Sequence, residues 1–448
     1  MTMRTFGANS LAVTVPTSDA TIDVAPIHYV DRTLANGLRA ILIPDSRVPS
    51  VAINVAYRVG GKDDPPGRSG FAHLFEHLMF KGTQRTGPET IDRLTEDVGG
   101  YNNAFTSEDI TNYYEVVPSN HLERLLWAEA DRLASLDVND GNFATERDVV
   151  IGEYDQRVLA EPYGMLNELI NREAYAVHPY GRGVIGSPEE LRASSLADVV
   201  AFHDVYYRPD NAVLVVAGDL DVETTWGWIE KYFGAITTPP GAVPRVTAVE
   251  PPQTAERTYT HYGANVPLAA FEEAYHIPPA SHPDAAALDI LETLLSAGRS
   301  ARFHTELVYR SQLCSSAYAY ADLREQAGLF NVRATCARGV TLADVRAAVE
   351  RELNRVRSEP PSAEEMSRVR TQIMSAVVRG RQTNSGIALA FVRAAIERGD
   401  AGAVNSDLAR YFAVTADDVM RVAKLYLRDD ARTVVEYLPQ PARAENAA

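Results

Sequence analysis

The 448-residue sequence predicts an α+β fold of two similar domains, each an antiparallel-rich β-sheet flanked by helices. Three observations lead there. Residues 27–57 alternate apolar and polar positions as strands do, and helical spacing takes over further along. Residues 237–257 then carry Pro239, Pro240, Pro244, Pro251 and Pro252 with little periodicity, the composition of a stiff, extended linker. Beyond it the pattern restarts: Asp198, Val199, Tyr206, Arg208, Asp210 and Val215 recur as Asp418, Val419, Tyr426, Arg428, Asp430 and Val435, each 220 positions later. Identical steps across a helix–strand unit are the mark of duplication. The division that follows is an N-terminal arm (1–24), a first domain (25–236), the linker (237–257), a second domain of similar fold (258–440) and a tail (441–448).

In chain order, residues 1–24 show no clear period. Strands are expected at 38–43 and 51–57, separated by a turn at Pro44-Asp45-Ser46. A polar loop through Gly60-Gly61 and Asp63-Asp64-Pro65-Pro66-Gly67 leads into a short helix over 70–80. A helix near 90–98 and a turn at Gly99-Gly100 precede a strand pair at 102–106 and 111–117. Helices follow at 121–135, 145–160 and 196–207, and a strand at 212–217 ends at Gly218-Asp219. In the second half a hairpin joins 314–320 to 330–336 through a turn around 322–328. Cys314 and Cys336 each lie eleven residues from Glu325, a spacing that allows them to face each other across the ladder. Two cysteines are too few for a disulfide framework or a thiolate metal site; a bridge between them is compatible with the spacing but not implied by it.

The stretch with chemistry is Gly70-Phe71-Ala72-His73-Leu74-Phe75-Glu76-His77-Leu78-Met79-Phe80. At 3.6 residues per turn His73 and His77 share one helix face, with Glu76 beside them and apolar residues elsewhere. A mostly buried helix rarely carries two imidazoles and a carboxylate at that spacing without using them. Two imidazole nitrogens one turn apart suit two corners of a Zn²⁺ tetrahedron, and the adjacent Glu76 can take a proton from water there. The bland alternative is two core histidines, each with a hydrogen bond. A third protein ligand must come from elsewhere, and the 145–160 helix offers Glu146, Asp148, Glu153 and Asp155. Glu146 and Glu153 are two turns apart on one face, about 10.5 Å along the axis, so one can reach a metal while the other orients a ligand. Spacing does not choose between them. Adding 220 to His73, Glu76 and His77 gives Thr293, Ser296 and Ala297, so the second copy retains a helix without ligands.

Composition limits the partners. With 46% hydrophobic and 23% charged residues the chain reads as a soluble globular protein. Its 43 basic and 60 acidic residues give a net charge of −17, which repels nucleic acid and is compatible with basic peptides. No apolar run reaches the roughly 18 residues of a membrane span. Residues 1–24 do not read as an intact signal peptide, so bacterial-type cytoplasm and periplasm both stay open.

Taken together, several motifs resemble the M16 (pitrilysin-type, inverzincin) peptidases, in the half-length subfamily of the mitochondrial processing peptidase subunits. They are His73-Leu74-Phe75-Glu76-His77-Leu78-Met79-Phe80-Lys81-Gly82-Thr83, Gly99-Gly100-Tyr101-Asn102-Asn103-Ala104-Phe105-Thr106, Glu146-Arg147-Asp148-Val149-Val150-Ile151-Gly152-Glu153, His178-Pro179-Tyr180-Gly181 with Gly186, and Tyr207-Arg208-Pro209-Asp210-Asn211-Ala212 with Gly218-Asp219. The resemblance implies the M16 metallohydrolase fold and zinc-dependent peptide hydrolysis. It also implies Glu153 as third ligand, Glu146 as its acidic neighbour, Glu76 as general base, and a strand at Asn103-Ala104 that pairs with substrate. Self-sufficient members carry an Arg and a Tyr seven residues apart in the second domain. Here Val308 and Ser315 fall at those places, and neither supplies a cation. The resemblance therefore points to a heterodimer whose homologous partner supplies the Arg/Tyr pair. The competing readings are a non-catalytic assembly subunit of the same fold, an impaired homodimeric peptidase, and a metal-storage protein that would not need Glu76.

Overall fold

Apolar residues on both faces of one strand, Ser50–Tyr57, dictate a sheet covered on two sides, since every position after the first is buried. The computed structural model describes residues 13–16 and 21–440. In chain order its strands are β1 (Val13–Pro16), β2 (Thr21–Val24), β3 (Val30–Thr33), β4 (Arg39–Pro44), β5 (Ser50–Tyr57), β6 (Tyr101–Thr106), β7 (Thr111–Pro118), β8 (Ala212–Gly218), β9 (Arg257–Gly263), β10 (Ala270–Ile277), β11 (Cys314–Asp322), β12 (Gly328–Cys336) and β13 (Arg432–Pro439). The tail at 441–448 lies outside the described residues. Of the expected arm, 13–16 and 21–24 pair as an antiparallel ribbon that the aperiodic sequence did not suggest.

The chain forms two compact units, each discontinuous in sequence. The first takes residues up to Gly152, Arg182–Thr247 and Ala376–Leu408; the second takes Glu153–Gly181, Ala248–Ser375 and the residues from Ala409 on. One boundary passes through a single unbroken helix, Asp140–Tyr154. The division into 25–236 and 258–440 follows chain order, whereas these units follow packing.

In the first unit the strand order is β3-β4-β8-β5-β7-β6; in the second it is β11-β12-β10-β13-β9. β4 runs parallel to β8 as β9 does to β13, and the other pairs are antiparallel. The two sheets thus repeat one order, β4/β9, β8/β13, β5/β10, β7/β12, β6/β11, with β3 added to the first. The 220-residue step extends well beyond the motif that revealed it: β5 maps onto β10, and helix Leu196–Tyr206 onto Ala416–Tyr426. The recurring residues have local work. Asp198 and Asp418 each complete a capping box, with Ser195 and Thr415. Arg208 and Arg428 each grip the aspartate two residues on through two hydrogen bonds.

Each sheet is sandwiched by helices. On one face of the first, Val51, Ile53, Val55 and Tyr57 pack with Phe71, Leu74, Phe75 and Leu78. On the other face Ala52, Ala56, Val213 and Val215 meet Ile387, Ala388, Phe391 and Val392 of helix Asn384–Glu397. The small side chains at 52 and 56 let that helix lie close. In the second unit, helix Gly164–Ala174 covers the matching face through Leu166, Leu169 and Ile170 against Ala270, Ala274 and Val435. These two helices start 220 residues apart, at Gly164 and Asn384, so each sheet is roofed by a helix from the other half of the chain.

Further differences from the sequence reading are local. The expected 145–160 helix starts earlier, at Asp140, and after Tyr154 widens into a π-helical turn, Asp155–Leu159. No helix among the described residues is long and apolar enough to cross a membrane. The helix exchange carries a quantitative expectation. Phe391 is fully buried against the first sheet, so Phe391→Ala should cost about 3–5 kcal/mol, measured by urea denaturation.

Candidate metal centre

The helix Phe71–Leu78 is only eight residues long, too short to persist on its own in water. Its surroundings hold it. The N-cap is Gly70, in the left-handed region at φ 92°, where the Cβ of any other residue would sit 2.5 Å from the Ile185 carbonyl oxygen. Gly186 backs onto it: a Cβ there would lie 2.4 Å from the Gly70 backbone. Asp64 accepts hydrogen bonds from the backbone N–H groups of Gly70 (2.6 Å) and Ala72 (2.9 Å), satisfying two donors that open the helix. Beneath the helix, Phe75 stacks on Phe202 and tilts against Tyr207, and the Tyr113 hydroxyl donates to the Phe75 carbonyl at 3.0 Å.

That packing leaves one side for His73, Glu76 and His77. The two imidazole rings stand 5.0 Å apart, nearly perpendicular. Glu153, on the last turn of helix Asp140–Tyr154, joins them: one ligand atom from each of His73, His77 and Glu153 lies within 4.8 Å of the others. Among the described residues this is the one group of three or more His, Cys, Asp or Glu side chains with that geometry. Glu153 also pairs with Arg157, one turn on, at 2.6 Å.

Glu146 takes a different place. It is buried, 3.4 Å from His77 Nδ1 and 2.9 Å from Lys81 Nζ. Burial works against its charge, yet the hydrogen bonds from His77 and Lys81 hold its carboxyl below the usual carboxylate range. A carboxylate accepting from Nδ1 of an imidazole presents Nε2 as the ligand nitrogen. The structure thus separates the two carboxylates that spacing left equivalent. Glu76 accepts a 2.7 Å hydrogen bond from the Thr106 hydroxyl, at the end of β6. β6 is the last strand of its sheet, paired on one side with β7. Asn103 and Ala104 lie at its middle, where the Asn103 side-chain oxygen accepts from the Ala104 N–H at 2.8 Å.

Asp64, Lys81 and Thr106 were not singled out from the sequence. Lys81 and Thr106 sit inside the motifs that carry the family resemblance, and that membership was the available signal. Val308, packed against the core of the second unit, and Ser315, whose hydroxyl donates to the Thr335 carbonyl, stand where the resemblance would put Arg and Tyr.

The family model described as Insulinase (Peptidase family M16) matches residues 39–187, and Peptidase M16 inactive domain matches residues 194–373. The chain belongs to the M16 peptidase family. Among M16 relatives, Zinc protease PqqE of Helicobacter pylori is 29% identical, over 97% of this chain and 98% of its own length. Probable mitochondrial-processing peptidase subunit beta of Arabidopsis thaliana is 26% identical, over 89% of this chain and 76% of its own length. The crystal structure of a protease from Helicobacter pylori superposes with a TM-score of 0.89 at 27% identity, covering 92% of this chain and 100% of that one. The overlap in length fits the half-length branch of M16, whose two-domain fold the chain shares.

The Asp64 cap can be tested through its pH dependence. Burial pushes its carboxyl up to about 7, against the hydrogen bonds from Ala72 and Gly70. The folded state keeps that proton to higher pH than the unfolded chain, so the contribution of Asp64 to stability is full at acid pH and declines as pH rises through about 7. Asp64→Asn should flatten that slope in urea denaturation at about pH 5 and about pH 8. At acid pH, Asp64→Ala should cost about 1–2 kcal/mol through the lost caps.

Proposed function

We propose that this chain is a zinc-dependent endopeptidase for short or unfolded peptides, with His73, His77 and Glu153 as ligands and Glu76 as general base. The convergence of three ligand atoms within 4.8 Å carries the reading. Two imidazole nitrogens and one carboxylate oxygen are the donor set of catalytic zinc sites that keep a position open. When bound, Zn²⁺ supplies Lewis-acid polarisation of the scissile carbonyl and a lowered pKa for water. Glu76, oriented by Thr106, takes the proton of the attacking water and returns it to the leaving amine. Glu146 orients His77, and Lys81 keeps Glu146 charged for that task.

The substrate lies along β6 as an added strand, with Asn103 and Ala104 as contacts. The Ala104 N–H is held by Asn103, so strand addition exchanges that bond for one to a substrate carbonyl. Val308 and Ser315 offer no cation to the carbonyl oxygen of the transition state. A homologous partner carrying the Arg/Tyr pair completes the site, and this chain is the zinc-bearing subunit of a heterodimer. The relatives named as zinc proteases and as a processing-peptidase beta subunit support this assignment.

Three measurements test it. Glu76→Gln should keep one zinc per chain by elemental analysis and lose peptide hydrolysis by about 10²–10⁴-fold. His73→Ala should lose the zinc. The isolated wild-type chain should cleave an unstructured peptide feebly and gain activity with the partner that co-purifies from its native host. Full turnover by the lone chain would rule out the division of labour, and full activity of Glu76→Gln would rule out the base.

A further inference from the structure

The hairpin β11–β12 brings the chain's two cysteines together at its open end. Cys314 and Cys336 are direct register partners. The Cys336 N–H donates away from β11, to the Ala269 carbonyl at 2.8 Å, while the next residue, Ala337, donates to Leu313 at 2.8 Å. Cys314 and Cys336 therefore form a non-hydrogen-bonded pair, the kind in which opposed side chains lie nearest, with Cα atoms about 4.5 Å apart. That separation falls inside the window of roughly 4.4–6.8 Å that a disulfide spans. Both side chains are buried in the same hydrophobic cluster, so they leave the sheet on the same face. Immediately after Cys314 the register slips, leaving Ser315 as an extra residue opposite Thr335.

We propose that Cys314 and Cys336 form a cross-strand disulfide when the chain folds in contact with a small-molecule disulfide oxidant. The two thiols give up two protons and two electrons and join sulfur to sulfur; the oxidant's own disulfide bond breaks and is reduced to two thiols. The bond closes a loop over the whole hairpin and pins the start of edge strand β11 at the point where its pairing is irregular. Burial, with the neighbouring Cys336 adding to it, pushes the Cys314 thiol up to about 12, and burial raises Cys336 as well. Thiols so seldom ionised exchange slowly once packed, so the bond is set during folding and is not a fast signalling switch. This inference is independent of the metal centre.

The test is to fold the full chain in an oxidised/reduced glutathione couple and, separately, under reducing conditions. Each sample is then alkylated under denaturing conditions and peptide-mapped without reduction. The oxidised protein should take up no alkyl group, be lighter by two hydrogens, and yield one linked peptide containing Cys314 and Cys336. It should melt several degrees above the reduced form, a difference that Cys314→Ser and Cys336→Ser each abolish. Where refolding yields are low, cell-free synthesis in the same glutathione couple supplies chain that folds in contact with the oxidant, for the same mapping. Two alkylated cysteines in protein folded in the glutathione couple, or only mixed adducts with glutathione, would overturn the proposal.

Discussion

The geometry of the candidate metal centre depends on immobilising eight residues. A helix of that length gains too few hydrogen bonds to offset its nucleation cost, so its geometry is a property of its neighbours. The Asp64 carboxylate closes its first turn, two glycines bring Gly70 and the 185–186 backbone into contact, and an aromatic floor fixes its rotation. Only then do His73 and His77 present both rings to Glu153. The carboxylates follow a division of labour set by position on one helix: Glu153 meets the imidazole nitrogens, and Glu146, two turns earlier, meets the back of His77 and Lys81. Removing an anchor would act through geometry, with the donor atoms themselves untouched.

Duplication explains the frame. The two sheets share one strand order with one parallel pair each, as two copies of a single unit would. What differs is the face where chemistry sits. In the second unit helix Ala285–Ser296 packs on the sheet like the site helix, but its side chains serve the backbone instead: Glu292 accepts from the Ala321 N–H and Ser296 from the Ala319 N–H, both on edge strand β11. In the first unit the matching strand, β6, meets the site helix through the Thr106–Glu76 hydrogen bond.

Local information was legible and distant information was not. His73, Glu76 and His77 are readable because helical periodicity acts over four residues. The 220-residue echo is readable because capping boxes and short Arg–Asp pairs are local motifs that tolerate little change. The turn position alone did not settle which residue faces Cys314: the ladder from Ser316 to Asp322 would set it opposite Ala337, and the extra residue Ser315 shifts it onto Cys336. Choosing between Glu146 and Glu153 needed three-dimensional packing or kinship, because both share a helix face. The helix Gly164–Ala174 escaped notice because its apolar face answers to strands far along the chain, around Ala270 and Val435, and Thr106 and Lys81 because a hydroxyl or an ammonium announces nothing until its acceptor is placed.

Roofing each sheet with a helix from the opposite half sets an order on biosynthesis. While the ribosome is still making the second half, Ala52, Ala56, Val213 and Val215 have no cover, because helix Asn384–Glu397 does not yet exist. The nascent first half must therefore wait, with an apolar sheet face exposed and in need of chaperoning, until nearly nine-tenths of the polypeptide has emerged.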